Sequence, residues 1–506
     1  MTDAPHPETS APARHTPEWL ILTLACVAQF MVVLDVSIVN VALPSMGRDL
    51  HYSATGLQWV VNAYVLTFAG FLLLGGRAAD LFGRRKVYLF GLGLFTAASL
   101  AGGLAQNSAW LTAARTVQGI GGAFLSPATL TIIVTTFSGP RIARALGVWS
   151  AVAGAGGAAG SILGGVLTAE LSWRWVLFVN IPIGVVASMV AVAYLTEARR
   201  PADTASRSRL DLAGSVTVTA GLGALIYAIV GTDSHPWGSA QTLALLAVAT
   251  VLLGAFAIIE YKVAASPLVP FRIFRSRSVS GANIVMFLVG AAFFSMWYFL
   301  SLYLQNVLGY GALKTGFAFF PMAVIIIIGA QASSRLIPHT GVRPLIQVGT
   351  VLAAAGFAGL AFIGAHSAYV TSVLLPGSLT ALALGVLFTP LAAAATTGVD
   401  RTEAGLASGI LNTSRQMGGS LGLAALATIA IDRTQALITA HHDPVRAALA
   451  SGYARAFAVA AVVSAVALAG SILIPGRAAE QVQAATGDPA GGTGRDGDPV
   501  SALDRA

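Results

Sequence analysis

From Trp19 to Pro475 the chain is a succession of apolar runs divided by short basic or Gly/Pro-rich breaks. Each run is close to the roughly 20 residues an α-helix needs to cross a hydrocarbon layer. Backbone in lipid must satisfy its own N–H and C=O groups, so runs of this length predict spanning helices. The residues are 56% hydrophobic and 10% charged, a surplus of apolar surface that a soluble domain has no means of hiding. The expected spans are 19–41, 57–75, 87–105, 108–136, 145–168, 176–196, 210–232, 241–259, 279–304, 313–334, 344–364, 370–397, 404–431 and 453–475. The fold class is therefore an all-α polytopic membrane protein with about fourteen transmembrane helices.

The first run stays apolar through Ala42, too long for the core of a secretory signal, and Arg14 is the only Lys or Arg before it. Cys26, the single cysteine, lies within that run, which excludes an internal disulfide and a thiolate cluster. A net charge of +8 points to nucleic acid in a soluble protein, but here it follows the loops. Arg77, Arg84, Arg85, Lys86, Arg141, Arg144, Arg199, Arg200, Arg207, Arg209, Lys262, Arg272, Arg275, Arg277, Arg335 and Arg343 all fall in alternate inter-span loops, leaving Arg48, Arg174, Lys314, Arg433 and Arg446 for the other side. Basic loops stay in the cytoplasm, so both termini are expected there, with the protein in the bacterial plasma membrane. The expected organisation is a tail at 1–18, a six-helix bundle at 19–196, a cytoplasmic loop at 197–209, two additional helices at 210–259, a loop at 260–278, a second six-helix bundle at 279–475 and a tail at 476–506.

Ionised side chains deep in a bilayer cost about 2.5–3.5 kcal/mol even on the lenient insertion scale, so the few that occur point to function. By the expected spans they are Asp35 in helix one, Arg115 in helix four and Arg415 in helix thirteen, and Asp35 is the one deep carboxylate. Asp35 and Arg115 fall at similar depth, roughly 10 Å from the outer ends of their spans. A neighbouring Arg favours a charged carboxylate and desolvation favours a neutral one, so a rearrangement between two states changes the proton affinity of such a site. A static pair joining two helices is the competing reading. Arg415 is left facing a water-filled cavity or an anionic group.

Weak internal symmetry supports two bundles rocking about a central site. Gly83-Arg84-Arg85-Lys86 after the second span is echoed by Gly341-Val342-Arg343-Pro344 after the tenth, and Gly160 to Gly164 in the fifth by Gly419 to Gly422 in the thirteenth. The stretch from Gly76 through Asp80 to Gly83, Arg84 and Arg85 combines a turn-forming glycine, an acid suited to a helix N-terminus and a basic cluster. A loop that only sets topology accounts for the arginines but not for the Asp or the glycines.

This stretch resembles the loop motif of the major facilitator superfamily, with Ala78 and Leu81 departing from the usual residues. Further matches resemble the fourteen-span drug:proton antiporters of that family. They are Leu34 to Pro44 around Asp35, Leu111 through Arg115 to Gln118-Gly119, Trp173-Arg174-Trp175 with Asn180 to Gly184, and Gly405 to Gly422. Gly156, Gly160, Gly164 and Gly165 resemble the antiporter motif of helix five, although Ser161 stands where that family usually has proline. The resemblance implies the major facilitator fold of two six-helix bundles plus two extra helices, proton coupling through Asp35 and Arg115, and a cytoplasmic gate built on Asp80 and Arg84. A small-residue stripe alone serves close helix packing equally well.

For the substrate, Asn283, Phe287, Phe294, Tyr298 and Gln305 recur at helical spacing in helix nine. Together with Trp59, Asn62, Trp149, Asn412 and Arg415 they are the candidate cavity residues for small hydrophobic compounds. No Gly-Lys-Ser/Thr phosphate loop occurs at Lys86, Lys262 or Lys314, and no His-Glu-x-x-His, so neither ATP-driven transport nor hydrolysis is expected. The expected function is export of hydrophobic drugs or antibiotics by proton antiport, by a non-enzymatic monomer with no cofactor and no nucleic-acid partner. A proton-coupled nutrient importer on the same fold is the alternative; the scarcity of polar residues in the spans favours export.

Overall fold

Each apolar run becomes a helix, and the computed structural model describes residues 17–137, 140–195, 210–233, 235–264, 267–399, 403–441 and 444–476. The long helices are α1 (Glu18–Asp49), α2 (Ala54–Phe82), α3 (Arg84–Gly103), α4 (Ser108–Thr136), α5 (Pro140–Glu170), α6 (Trp175–Tyr194), α7 (Leu212–Val230), α8 (Ala240–Val263), α9 (Arg277–Val307), α10 (Ala312–Thr340), α11 (Val342–Leu360), α12 (Val370–Thr396), α13 (Ala404–His441) and α14 (Val445–Ser471). Thirteen are long and apolar enough to cross a membrane, and α5, with 31 residues, is the further one. The expected loop at 197–209 and most of both expected tails lie outside the described residues.

Two six-helix bundles repeat one packing plan. In the first, α1 lies along α5, and α4 packs against α2 and α3; in the second, α9 lies along α13, and α12 packs against α10 and α11. The bundles meet through α5 on α10 and α2 on α13, contacts that an approximate two-fold exchanges. Of the two extra helices, α7 rests on α2 and α13 while α8 rests chiefly on α7, so α8 has only 11% of its apolar window buried.

The echoed sequences occupy matching places. Gly83 (φ +94°) passes the chain from α2 into α3 and Gly341 (φ +81°) from α10 into α11, both in backbone conformations that side chains with a Cβ avoid. On α5, a Cβ at Gly164 would stand 2.8 Å from the Ile38 carbonyl of α1; on α13, one at Gly422 would stand 2.6 Å from the Ala291 carbonyl of α9. Small residues thus let α5 and α13 approach their partner helices in the same way.

Several ends differ from expectation. Helix α1 continues to Asp49 with Pro44 inside it, which puts Asp35 fourteen residues from the helix end, about 21 Å rather than 10 Å. That extra length is anchored: Asp49 Oδ2 accepts hydrogen bonds from Trp173 Nε1 at 2.8 Å and Arg174 Nη1 at 2.5 Å, tying the end of α1 to the start of α6.

Candidate functional site: a buried ion pair beside a central cavity

Asp35 and Arg115 meet inside the first bundle, 0% and 2% exposed, with Arg115 Nη1 donating to Asp35 Oδ2 at 2.5 Å. Further polar contacts come from neighbours on four helices. Arg115 Nε donates to the Val60 carbonyl at 3.1 Å, Nη1 also reaches Gln118 Oε1 at 2.7 Å, and the guanidinium lies 4.4 Å over the Tyr64 ring. Gln118 Nε2 and Asn180 Nδ2 donate to Asp35 Oδ1 at 2.7 and 3.1 Å, and both also reach Ser99 Oγ. A buried charge is tolerated only when paired and hydrogen-bonded, and here α2, α3, α4 and α6 all contribute to meeting that condition around α1.

Gln118, Ser99, Asn180 and Tyr64 were not predicted as members of the site. The available signal was weak: Gln118 stands one helical turn from Arg115, and Asn180 interrupts an otherwise apolar run. Glu260, at the end of α8, is a second buried carboxylate, 5% exposed, whose Oε2 accepts the Val269 N–H at 3.0 Å.

Between the bundles lies a cavity of about 1720 Å³ lined from α1, α2, α4, α5, α9, α10, α12 and α13. It reaches the protein end that carries Gly83, where Arg77, Asp80, Arg272 and Glu403 border it. At the opposite end the bundles are drawn together: Ser301 Oγ donates to the Asn40 carbonyl at 2.6 Å, Gln305 Nε2 to the Val41 carbonyl at 2.9 Å, and a Cβ at Gly165 would stand 2.8 Å from the Ala312 carbonyl. The antiporter-motif glycines therefore divide, with Gly156, Gly160 and Gly164 facing α1 and Gly165 facing α10.

Helix α1 has two functional faces. Asp35 turns into the bundle, while Val33, Val36, Ser37 and Asn40 line the cavity. Trp149, Phe294, Asn412 and Arg415 also line it, as do Gly76 and Asp80 of the loop motif. Arg84 donates to Thr135 Oγ1, and Arg85 Nη2 to the Val192 carbonyl at 2.7 Å, fastening the loop to α4 and α6.

Trp59, Asn62, Phe287 and Tyr298 are not among the residues that line this cavity. Trp59 packs on Tyr227 of α7, Asn62 is fully buried, Phe287 borders a shallow groove with Asn283 and Ser414, and Tyr298 packs edge-on against Phe299. The cavity stripe of α9 is Met286, Gly290, Phe293 and Trp297, with Phe294 at its margin. It keeps the expected three-and-four spacing at another phase, because the period of hydrophobic residues does not say which side of a helix faces a cavity when both sides are apolar.

The model of the Major Facilitator Superfamily matches residues 25–423. The chain belongs to that superfamily. This transporter is 46% identical over 411 residues to the cephamycin export protein CmcT of Amycolatopsis lactamdurans, covering 81% of this chain and 84% of that one. It is 40% identical over 449 residues to the puromycin resistance protein pur8 of Streptomyces alboniger, covering 87% of each. Among solved structures, a bacterial homologue of the human lysosomal transporter Spinster, inward-facing and occupied, shares the fold with a TM-score of 0.64 at 15% identity, covering 92% of this chain and 97% of that one. The protein is a multi-pass membrane transporter and not an enzyme.

Proposed function

We propose that this transporter exports hydrophobic antibiotics or drugs from the cytoplasm across the bacterial plasma membrane in exchange for protons, as a monomer needing no cofactor. The observation that carries the reading is the division of α1, which holds the buried carboxylate Asp35 on one face and cavity wall on the other. Protonating Asp35 weakens its hold on Arg115, and any shift of α1 that follows moves the cavity wall directly. Substrate and proton then act on one helix, which is the shortest route by which one equilibrium biases the other.

The apolar and aromatic wall supports a hydrophobic substrate, and the two relatives named for antibiotic export and resistance support outward transport. With the basic loops in the cytoplasm, the cavity opens inward, the state that takes up a compound for export. In this reading Asp35 is the proton site, Arg115 sets its affinity, and Asp80 with Arg84 gates the cytoplasmic end. Inside-out vesicles given an acid interior test the direction: accumulation of hydrophobic antibiotics that collapses with a protonophore is expected. Gradient-driven movement of sugars or organic nutrients, with no antibiotic moved, overturns it.

A further inference from the structure

Arg115 and Arg415 both lie deep in their helices and face the interior, and among the described residues only Arg115 has a counter-charge. Arg115 is matched by Asp35, Gln118 and the Val60 carbonyl. Arg415 donates Nε and Nη2 to a single neutral acceptor, Asn412 Oδ1, at 3.2 and 2.8 Å, and no carboxylate pairs with it among the described residues. A guanidinium has five N–H donors, so three of them are left without a protein acceptor there.

Arg415 lies eleven residues into α13, about 16 Å along the helix from Ala404, and it lines the cavity. Its backbone is held by a close approach of α9, where a Cβ at Gly290 would stand 2.2 Å from the Arg415 carbonyl. The Phe388 ring lies 5.5 Å from the guanidinium, and Phe294 and Trp297 belong to the same wall. The acids that border the cavity are Asp80, in the last turn of α2, and Glu403, at the start of α13 and paired with Arg272. Glu403 is twelve residues from Arg415, about 18 Å along the helix, too far to neutralise it. Asp35 faces away into the first bundle.

We propose that Arg415, oriented by Asn412, is the subsite for a negatively charged group of the substrate, so that the preferred cargo is an organic anion with an aromatic or otherwise apolar body. A carboxylate or comparable oxyanion accepts the free N–H donors in a fork geometry, while its ring system lies against Phe294, Phe388 and Trp297. Cations are disfavoured by the same charge. The inference deepens the export reading and rests on it for the direction of transport, not for binding.

Matched probes test it: pyrenebutyrate, its neutral methyl ester and the cation pyrenemethylamine, binding to the purified full-length protein followed by quenching of tryptophan emission. The unmodified protein is expected to bind the acid about tenfold or more tighter than the ester, the ratio given by one charge-assisted hydrogen bond of about 1.5 kcal/mol, and the amine weakest. Arg415→Gln should bring the three affinities together. Asn412→Asp supplies an internal counter-charge with Arg415 retained, and should remove the preference for the acid even if the first variant folds poorly. Equal binding of acid and ester by the unmodified protein, or an acid preference that survives both substitutions, overturns the proposal. Flux in vesicles is read separately: proton-driven export of ester and amine alongside equal binding leaves export standing and removes the anion subsite.

Discussion

Arg115 reaches Asp35 across 2.5 Å in a pocket sealed from both the cavity and the lipid, 2% and 0% exposed. The same guanidinium also holds the Val60 carbonyl and Gln118 Oε1, so it positions α2 and its own helix as well as the acid. A planar fork makes these bonds in fixed directions, and an ammonium does not. Arg115→Lys is therefore expected to lower gradient-driven export by roughly tenfold or more, equivalent to about 1.4 kcal/mol of lost interaction, and to lower the melting temperature in detergent. Export at the unmodified rate by the Lys variant contradicts the role given to the guanidinium.

The glycine faces make a steric prediction with an internal control. A Cβ at Gly160 would press on Ser37 Cβ at 2.7 Å and the Leu34 carbonyl at 2.8 Å, whereas one at Gly93 meets nothing within 4 Å. Gly160→Val should destabilise the protein by about 1–3 kcal/mol through overpacking and depress transport. Gly93→Ala should be neutral or slightly stabilising, by up to about 1 kcal/mol from helix propensity. Melting curves of the two variants side by side check the contrast.

Closure at the end remote from Gly83 depends on α5 and α10 touching, since a Cβ at Gly316 would stand 2.4 Å from the Ser161 carbonyl. Gly316→Val should weaken that contact and populate the oppositely open state. Ser301, fully buried at the closed end, reports it: as a cysteine in a Cys26→Ser background it should label slowly with maleimide, and several-fold faster once Gly316→Val is added. Unchanged labelling excludes this closure.

The two junction glycines should behave as a pair. Gly83 and Gly341 have φ of +94° and +81°, so Ala at either position should cost about 1–3 kcal/mol of backbone strain. Similar losses of thermal stability at both sites are expected; indifference at either shows that the junction relaxes.

Most spanning helices could be read from the sequence because apolar length is a direct consequence of bilayer thickness. Their ends were less legible: Val41 to Pro44 is as apolar as what precedes it, and proline within a spanning helix does not mark where it stops. Asp35 and Arg115 stood out because deep charges are few; the depth of Asp35 was underestimated because α1 runs on to Asp49, while α4 starts at Ser108 as expected and leaves the depth of Arg115 unchanged. Gln118, Ser99 and Asn180 did not stand out, since uncharged polar residues are common in these helices and only the packing of α3, α4 and α6 selects Gln118 and Asn180, which donate to Asp35, and Ser99, which accepts from both. The aromatic chemistry of Trp59 suits a cavity wall, but α7 lies against that side of α2 and takes the ring. Phase around a helix axis, unlike period, is a tertiary property.

The central claim is that a proton on Asp35 drives export, and one comparison tests it most directly. Inside-out vesicles with an imposed acid interior are loaded with a transported antibiotic, using unmodified protein and Asp35→Asn at equal abundance. The account predicts uphill accumulation by the first and none by the second, with binding of the antibiotic retained in both. Uphill accumulation by the Asn variant at the unmodified rate contradicts it and moves the proton site elsewhere in the chain.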